Sequence, residues 1–466
     1  MSTAVPPFAP LLDAQRAAFM RDGSPPPSVR RDRLKRLETL IRSRNRDLCA
    51  AIAQDFSGRS AHETALLELA PLLRAIAHAR SALKRWMAPE RRATALEFWP
   101  FRNQVIYQPL GVVGIMVPWN YPLLLALGPL VDVLAAGNRA MIKPSELLPR
   151  TAEVLQEAVS EVFDLEEVCV VTGGVETAEA FSRLPFDHLV FTGSTAVGRK
   201  VMAAAAENLT PVTLELGGKS PAIVAPDYPL AGAARDLVFG KMMNAGQTCI
   251  APDYVLAPRE RIDALAERIL AEIASCYPRG REGDYTSLVG AHNHTRLARM
   301  LAECRERGVR VLSYDAVAAG EATRMAPTIV LDPPTDALLM REEIFGPILP
   351  ILPYDRVEDA IRFVQARPRP LALYLFTQSR AVRTAVLDGT LSGNVTINGT
   401  LLHIVQGDLP FGGVGPSGIG AYHGRDGFRR FSHARGITRV RGFNPARLAA
   451  PPYGPVARLL ARFMMR

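Results

Sequence analysis

Residues 188–216 have the sequence HLVFTGSTAVGRKVMAAAAENLTPVTLEL and carry the pattern of a strand, a turn, a helix and a second strand. His188–Thr192 and Val212–Leu216 are short apolar segments of strand length, and Thr195–Glu207 between them has the length of a helix. Apolar strands that alternate with helices form a parallel sheet covered on both faces. The stretch therefore predicts one unit of an open, mostly parallel α/β sheet.

The same alternation continues on both sides of this stretch. Upstream it predicts strands at Gln104–Tyr107, Val112–Val117, Ala140–Lys143 and Val168–Thr172, and helices at Ser28–Phe56, His62–Met87, Leu123–Ala136, Thr151–Phe163 and Thr177–Ser182. Downstream it predicts strands at Ala222–Ala225, Ile348–Pro353 and Leu373–Thr377, and helices at Leu230–Met243, Ile262–Ala274, Thr295–Arg307 and Ala360–Gln365. We expect an α/β fold made of two α/β regions packed together.

The composition is that of a globular protein with a large core. Of the 466 residues, 48% are hydrophobic and 22% are charged, so the chain is long enough for two or three domains. The net charge of +9 is spread thinly, and no nucleic-acid-binding motif accompanies the basic clusters Arg30–Arg36 and Arg429–Arg441. We expect no nucleic-acid partner, and a field of this sign attracts anions such as a dinucleotide.

Cysteine use and the apolar segments predict a cytoplasmic protein. Five cysteines, none in a C-x-x-C pair, indicate a reducing compartment and no disulfide framework. The segment Met1–Pro10 lacks the pattern of a secretory signal, and no segment has the ~18 consecutive apolar residues of a spanning helix. The tail Pro451–Arg466 predicts a short amphipathic basic helix rather than a membrane anchor.

Cys249 lies in the small-residue sequence NAGQTCIAP, after a predicted helix that we expect Gly246 to end. A substrate can reach a sulfur in such a loop, and a thiolate with a lowered pKa is a strong nucleophile. The alternative is a buried inert cysteine, since free cysteine is among the most buried residue types. The remaining cysteines lie in helical or strand patterns that favour this alternative: Cys49, Cys169, Cys276 and Cys304.

Two candidate features follow predicted strands of the first region. Glu215 stands at a strand end, where it could take a proton from water or act only as a capping or ion-pairing carboxylate. In the turn FTGSTAVG, Gly193 permits a tight bend and Ser194 can cap the next helix, whose N-terminus suits a phosphate. Many strand–helix turns have this composition, so the turn alone is a weak signal.

Further polar and aromatic residues stand beside other strands. Asn120 in PWNYP could donate its side-chain N–H to an oxyanion, or be an ordinary turn asparagine. Lys143 and Glu146 in KPSE could hold ribose hydroxyls, or form a surface pair. In EEIFGP, Phe345 could contact a flat ring, or anchor the segment while Glu343 stays solvated.

The segment GVGPSG at residues 413–418 matches the dinucleotide pattern G-x-G-x-x-G in form only. No predicted strand precedes it, Pro416 lies inside it, and no βαβ unit encloses it. We interpret it as a tight glycine-rich turn. We predict no metal site in the chain.

The order and spacing of these motifs resemble the aldehyde dehydrogenase superfamily. Seven motifs follow one another over roughly residues 30–440: Trp119-Asn-Tyr-Pro, Lys143-Pro-Ser-Glu, Phe191-Thr-Gly-Ser, Glu215-Leu-Gly-Gly-Lys, Gly246-Gln-Thr-Cys, Glu343-Ile-Phe-Gly-Pro and Pro410-Phe-Gly-Gly. The resemblance implies an aldehyde dehydrogenase-like fold. It also implies an NAD(P)-binding domain at residues 1–90 and 110–216, a catalytic domain at 217–408, oligomerisation segments at 91–109 and 421–440, and a tail at 441–466.

The resemblance further implies roles for individual residues. Cys249 would be the nucleophile, Glu215 the general base that activates water against a thioester, and Asn120 with the Cys249 backbone N–H the oxyanion hole. NAD, or possibly NADP, would be held by Lys143 and Glu146 at the adenosine ribose, by Gly193, Ser194 and Gly198 near the pyrophosphate, and by Glu343 and Phe345 at the nicotinamide end.

Five segments narrow the branch within the superfamily. CIAPDY at 249–254, GGVGPSG at 412–418 and YHGR at 422–425 resemble the class 3 branch, which is typically dimeric, so we expect a homodimer. PRGREGDYTS at 278–287 and LLHIVQGDLP at 401–410 are similar to coniferyl aldehyde dehydrogenases, which implies aromatic aldehyde substrates.

Several alternatives stay open at this point. The substrates could be medium-chain aliphatic aldehydes, and the acyl group could pass to coenzyme A, although Glu215 favours water. A catalytically silent binding protein of the same fold is a third alternative, against which intact Cys249, Glu215 and Asn120 argue. Glu146 favours NAD because a carboxylate repels a 2′-phosphate, while class 3 relatives often accept NADP as well.

Overall fold

A computed structural model describes residues 8–279, 282–317 and 323–465 of the chain. Its helices are α1 Ala9–Asp22, α2 Pro27–Ser43, α3 Asn45–Asp55, α4 Ala61–Thr64, α5 Ala70–Trp86, α6 Pro122–Ala136, α7 Pro149–Ser160, α8 Val175–Ser182, α9 Thr195–Ala206, α10 Leu230–Met242, α11 Ile262–Cys276, α12 Ala291–Glu306, α13 Leu338–Arg341, α14 Val357–Gln365, α15 Arg380–Gly389, α16 Gly424–Arg430 and α17 Pro455–Met464.

The strands follow the same numbering by chain order. They are β1 Glu90–Arg92, β2 Arg102–Pro109, β3 Val112–Met116, β4 Arg139–Lys143, β5 Val168–Val170, β6 His188–Thr192, β7 Val212–Glu215, β8 Pro221–Val224, β9 Tyr254–Pro258, β10 Arg310–Ser313, β11 Thr328–Leu331, β12 Ile348–Tyr354, β13 Ala372–Phe376, β14 Asn394–Ile397, β15 Gly418–Ile419 and β16 Ser432–Arg439. They form three sheets, and the α/β fold predicted from the sequence is confirmed.

The first sheet has six strands in the order β15-β7-β6-β3-β4-β5, and all but the edge strand β15 are parallel. The chain builds outward from β3 through β4 and β5 on one side, and through β6 and β7 on the other. Such a reversal of strand order opens a crevice at the carboxyl ends of the central strands, where ligands bind in open α/β sheets. Asn120 follows β3 and Gly193 follows β6, so both stand at this crevice.

Helices α2, α3 and α5 cover one face of this sheet together with α6, whereas Leu12 of α1 packs in a separate core on the other face. α6 is apolar on nearly all sides, because it lies between the sheet and the preceding helices α2, α3 and α5, whose buried leucines and isoleucines share one core with it. A helix buried all round is expected to lack a polar face. This core holds the start of α6, and with it the neighbouring Asn120, in a fixed position.

The second sheet has seven strands in the order β10-β11-β12-β9-β8-β13-β14, parallel except for the edge strand β10. Four strands of this sheet were not predicted from the sequence: β9, β10, β11 and β14. Three of these strands have four residues and β9 has five, so each is too short to show a clear period. Their pairing with distant strands, rather than local pattern, makes them strands.

The third sheet is small and antiparallel, in the order β1-β2-β16. β2 and β16 pair over eight residues, from Arg102 opposite Arg439 to Pro109 opposite Ser432. These strands fall within or beside the predicted oligomerisation segments 91–109 and 421–440. The domain boundaries themselves stay a prediction.

One predicted helix is wrong in its extent. Ser28–Phe56 is two helices, because Arg44 has φ −105° and ψ 13° and turns the chain between α2 and α3. His62–Met87 remains helical, but one π-helical turn at Ala65–Leu69 joins α4 to α5. Both irregularities are decided by packing against other elements, which local spacing does not reveal.

The C-terminal tail carries the predicted short helix, α17. Among the residues that the structure describes, no helix is both long and apolar enough to cross a membrane.

The end of α6 is closed by a side chain from a distant helix. Gly137 adopts the left-handed conformation with φ +93°, and the buried Arg30 guanidinium donates to the carbonyls of Ala135 at 3.0 Å and Ala136 at 2.6 Å. The last carbonyls of a helix have no partner within the helix itself. Arg30 therefore satisfies groups that would otherwise be buried without a hydrogen bond.

We expect Arg30→Gln to lower the free energy of unfolding by about 2–4 kcal/mol, because buried carbonyls lose their donors. Chemical denaturation followed by circular dichroism measures this change. The exposed neighbour Arg31 serves as the control, and Arg31→Gln should change stability by less than about 0.5 kcal/mol. Equal stability of the two variants would contradict the proposed cap.

Candidate active site

The loop that carries Cys249 begins with an abrupt end of α10. The helix stops at Met242, and Asn244 and Ala245 follow with φ of 52° and 49°, in the left-handed region. The expectation that Gly246 ends the helix is therefore wrong, since the break comes before it. Gly246 is needed for a different reason, because a Cβ there would overlap the carbonyl of Gly346.

Cys249 opens into a cavity of about 260 Å³ between the two large sheets. Five of the predicted catalytic and nicotinamide-end residues line this cavity: Cys249, Glu215, Asn120, Glu343 and Phe345. Gly193 and Ser194 line it as well. Residues that lie far apart in the sequence thus meet at the carboxyl ends of β3, β6 and β7, where the first sheet forms its crevice.

Asn120 is tied to the cysteine loop by hydrogen bonds at both ends of the residue. Its side-chain Nδ2 donates to the carbonyl of Gln247 at 3.1 Å, and its own carbonyl accepts from Asn244 Nδ2 at 3.0 Å. A carboxamide nitrogen has two N–H groups, so one of them remains for another acceptor. Asn120 can therefore stay in place and still donate to an oxygen in the cavity.

A buried group of charges behind this loop holds it in position. Glu63 accepts from the backbone N–H of Asn244 at 3.0 Å and from the hydroxyl of Thr286. Glu68 forms a fully buried ion pair with Arg59 at 3.0 Å and accepts from the backbone N–H groups that begin α6. Glu63, Glu68 and Arg59 were not predicted from the sequence, because nothing in the spacing of residues 59–68 distinguishes them from surface charges.

Glu215 is buried at the end of β7, and neither of its carboxylate oxygens has a hydrogen-bond partner among the described residues. Burial raises the pKa of Glu215 well above its usual value, and the distant charge of Arg430 opposes this only in part. A carboxylate with a raised pKa and two free oxygens is suited to accept a proton near neutral pH.

The pKa of Cys249 is raised, whereas a reactive cysteine is expected to have a lowered pKa. Burial raises the pKa of the Cys249 thiol to about 12, and the carboxylates of Glu343 and Glu215 add to the effect. The backbone N–H groups of Cys249 and Ile250 act in the opposite direction but are outweighed. The protein alone therefore favours the thiol rather than the thiolate that a low pKa would give, and the proton must leave when the sulfur reacts.

A second, longer cavity of about 650 Å³ adjoins the first and is lined by Lys143, Glu146, Gly193 and Ser194. Lys143 is buried, and burial lowers its pKa; its ammonium group donates to the Pro144 carbonyl at 2.6 Å and lies 3.9 Å from Glu146. Ser194 caps α9 by accepting from the Val197 N–H at 3.3 Å, as predicted.

Gly198 has a different position from the other predicted cofactor residues. It is buried inside α9, and a Cβ there would lie 2.6 Å from the Leu216 side chain. Gly198 thus lets α9 pack closely against the end of β7. It does not line either cavity.

Glu343 and Phe345 depend on unusual local geometry. Gly217 leaves room for the Glu343 carboxylate, since a Cβ on Gly217 would overlap it. Phe345 has φ 50° and meets Trp119 edge to face, with ring centroids 5.4 Å apart. A left-handed aromatic residue is costly and is held by its surroundings, which is typical of functional sites.

Three further lining residues were missed by sequence reasoning. Arg296 and Asn293 reach the cavity from α12, where Arg296 donates to the Glu343 carbonyl at 3.0 Å and so fixes that segment. Thr192 lies between the two cavities, and its buried hydroxyl has no partner among the described residues. Arg296 and Asn293 stand in no motif, and Thr192 stands in the FTGS motif but was not predicted to have a role, so only the folded chain reveals all three.

One cavity holds a half-buried thiol, a buried carboxylate and a carboxamide donor, and a longer cavity adjoins it at the crevice of an α/β sheet. Together these are the features of a cysteine-dependent oxidoreductase. Comparison with known proteins identifies the family within this class. Residues 10–437 match the model of the aldehyde dehydrogenase family. The chain therefore belongs to the aldehyde dehydrogenase family and is an aldehyde dehydrogenase.

Individual relatives agree with the branch predicted from the motifs. The chain is 48% identical to a probable coniferyl aldehyde dehydrogenase of Pseudomonas aeruginosa, over 98% of this chain and 96% of that protein. Its fold matches substrate-bound Staphylococcus aureus AldH with a TM-score of 0.92 and 35% identity, covering 98% of this chain and 99% of the other. A Mycobacterium tuberculosis aldehyde dehydrogenase complexed with NAD⁺ matches at 0.82 and 31%, covering 93% and 90%.

The hydrogen bond from Asn244 to Glu63 predicts a split kinetic effect. We expect Glu63→Leu to lower kcat about tenfold or more while the KM for NAD changes less than about twofold, because a displaced cysteine loop misplaces the reacting atoms. Glu63→Gln keeps an oxygen acceptor and should retain most of the activity. Steady-state kinetics with a thermal melt of each variant tests this, and equal losses in both variants would contradict the positioning role.

Proposed function

We propose that the protein oxidises an aldehyde to a carboxylic acid with NAD(P), through a thioester on Cys249 that water activated by Glu215 hydrolyses. The observation that carries this proposal is the presence of Cys249, Glu215 and Asn120 in one cavity. Each group supplies the chemistry that one step of this reaction requires.

In the first step the Cys249 sulfur attacks the aldehyde carbonyl carbon. The thiol proton must leave, and the buried Glu215 carboxylate in the same cavity has two free oxygens to receive it. The free N–H of the Asn120 carboxamide and the backbone N–H of Cys249 donate to the oxygen that becomes negative. Donors of this kind contribute about 10²–10³ in rate each.

The residues of the two adjoining cavities fit a dinucleotide cofactor. Lys143 and Glu146 would bind the adenosine ribose, the turn Gly193–Ser194 and the unpartnered Thr192 hydroxyl lie midway, and Glu343 would bind the second ribose. When bound, NAD(P) supplies the acceptor for the hydride that leaves the former aldehyde carbon. Phe345 and Trp119 would shield that end of the cavity from water.

In the last step Glu215, which has by then released the thiol proton to solvent, takes a proton from a water molecule as the water attacks the thioester carbonyl. The same two donors hold the oxyanion, and as the carboxylic acid forms the Cys249 sulfur leaves and takes that proton from Glu215. Glu215 at this position favours water over coenzyme A as the acceptor. It also argues against a silent binding protein, for which an unpartnered buried carboxylate would only cost stability.

We further propose aromatic aldehydes of the coniferyl type as substrates, with medium-chain aliphatic aldehydes as the alternative. The name and the 48% identity of the Pseudomonas aeruginosa relative support the aromatic class. A kinetic panel of cinnamyl-type, benzyl-type and aliphatic aldehydes tests it. A kcat/KM for aliphatic aldehydes above that for aromatic ones would favour the alternative.

Homodimer formation through the small sheet β1-β2-β16 is part of the same proposal. The β2–β16 pairing joins the chain just before the first sheet to its C-terminal segment, and most residues of β16 are exposed. An exposed antiparallel sheet of this kind offers edges that a second copy can cover. Sedimentation of the full chain measures the oligomeric state.

Glu215→Gln removes the base from both halves of the reaction. The variant keeps the shape of the site but cannot take a proton from the thiol or from water, so we expect thioester to form slowly but to persist, and steady-state turnover to fall about 10²–10⁴-fold. Intact-mass spectrometry detects the acyl group on Cys249, and Cys249→Ala should show none. Full turnover by Glu215→Gln would overturn the assignment.

The pH profile follows from the same carboxylate. Glu215 works as a base only when it is deprotonated, and its pKa is raised, so kcat should rise with pH and fall as pH drops below that raised pKa. The rise should be absent from the residual activity of Glu215→Gln. The profile of kcat against pH between 6 and about 9 tests this.

Glu146 provides a test of cofactor choice. Its carboxylate lies beside Lys143 at the edge of the longer cavity, where it would repel a 2′-phosphate. We expect Glu146→Gln to raise kcat/KM for NADP relative to NAD by about tenfold, by removing one unfavourable charge contact. Kinetics with both cofactors measure the ratio, and an unchanged ratio would place the ribose elsewhere.

A further inference from the structure

A third cavity, of about 590 Å³, lies on the other side of α9 from the longer cavity described above. Thr195 and Arg199 of α9 form one wall, and the segment 366–369 with residue 416 forms another. We name this space the basic cleft. Its volume falls within the range of about 300–1,000 Å³ that is typical of small-molecule sites.

The basic cleft is strongly unbalanced in charge. Its described lining includes a single carboxylate, Glu343, against five cations: Arg199, Lys219, Arg341, Arg367 and Arg369. The longer cavity is balanced by comparison, with three cations and three carboxylates: Lys143, Arg183, Lys200, Glu146, Glu179 and Glu207. The excess of positive charge is therefore a property of this cleft and not of the whole crevice.

Two of the five cations are already engaged. Lys219 bonds Asp253 and the carbonyls of Leu339 and Glu342, and the Arg367 guanidinium lies 3.3 Å from the centre of the Phe363 ring. The side chains of the other three, Arg199, Arg341 and Arg369, make no ion pair and donate no hydrogen bond within the described parts of the chain, and the charge of Arg341 only adds to the lowering of the pKa of Asp336. Their donors are free for a ligand.

We propose that the basic cleft binds the phosphate chain of a ligand with two or more phosphate groups, separately from the cofactor cavity. Guanidinium groups recognise phosphate oxygens through paired N–H donors, and three of them on different segments can surround one chain. The Thr335 hydroxyl stands on the same lining and adds a neutral donor, whereas the Thr195 hydroxyl already donates to the Pro416 carbonyl at 3.1 Å.

Binding in the basic cleft would affect the active site through Glu343. This residue lines both the basic cleft and the cavity of Cys249, because Gly217 leaves space for its carboxylate between them. Burial and the charge of Asp253 already raise the pKa of Glu343 to about 8, and a nearby phosphate chain would favour the protonated form further. A protonated Glu343 accepts fewer hydrogen bonds, which weakens cofactor binding if Glu343 has the role proposed above.

Isothermal titration of the full chain with inorganic triphosphate tests the site directly. We expect saturable binding at one site, weakened about tenfold or more in the double variant Arg341→Gln/Arg369→Gln. The control is Arg268→Gln/Arg305→Gln, which removes two exposed arginines of α11 and α12 and the same charge. Absence of saturable binding, or an equal loss in the control, would overturn the proposal.

Two further measurements distinguish a nucleotide from free phosphate and test the effect of phosphate binding on the KM for NAD. ADP and triphosphate are both titrated with the cofactor cavity filled by NAD, because NAD and the cleft ligand are expected to weaken each other. Under this condition ADP should bind as tightly as triphosphate if only the phosphate chain is recognised, and more tightly if a nucleoside contributes. No binding of either probe overturns the proposal. Saturating triphosphate should raise the KM for NAD about threefold or more in the wild type and not in the double variant. A KM that stays constant while triphosphate binds would overturn the coupling through Glu343 and leave the proposed oxidation of aldehydes untouched.

Discussion

The hydrogen bond from Asn120 to the carbonyl of Gln247 joins two parts of the protein that fold around separate sheets. This hydrogen bond is buried and 3.1 Å long. A second hydrogen bond runs in the opposite direction, from the Asn244 side chain to the Asn120 carbonyl. A buried polar group without its partner is costly, so this pair of bonds holds one relative position of the two loops. The distance between Cys249, the proposed nucleophile, and Asn120, the proposed oxyanion donor, depends on that position, as does the cavity between them.

Burial has two opposite effects in this cavity. It makes Glu215 a better base by raising its pKa, and it makes Cys249 a poorer thiolate by raising the pKa of the thiol. The two shifts are complementary when a proton passes from the sulfur to the carboxylate. A site open to water would lose both effects, because solvent would stabilise the charged forms equally well. The surrounding apolar core therefore sets the pKa values of both groups.

Small residues and strained backbone set the boundary between the cavities. Gly217 admits the Glu343 carboxylate, and Phe345 keeps a left-handed conformation against Trp119. Arg296 reinforces the segment by donating to its carbonyls. Because interiors are close-packed, a wall built in this way transmits a change on one side to the other. Charges in either of the two cavities therefore act on the Glu343 carboxylate.

Local pattern was sufficient for the features that depend on neighbours in the sequence. The alternation around His188–Thr192, the cap at Ser194 and the loop of Cys249 could be predicted because strands, caps and turns follow short-range rules. The ordered motifs then indicated the family, which the comparisons confirm. The interpretation of residues 413–418 as a turn also rested on local context and agrees with the structure, where Gly415 and Gly418 form a bridge.

Other features were decided only by the folded chain. Glu63 meets Asn244 across 181 positions of sequence, and the four short strands of the second sheet exist because distant strands pair with them. The direction of the Cys249 pKa shift was also beyond local reasoning, since it depends on burial and on carboxylates brought in from β7 and from the loop before β12. Contacts of this range are set by tertiary packing, and periodicity within a segment carries no information about which distant segment will lie against it.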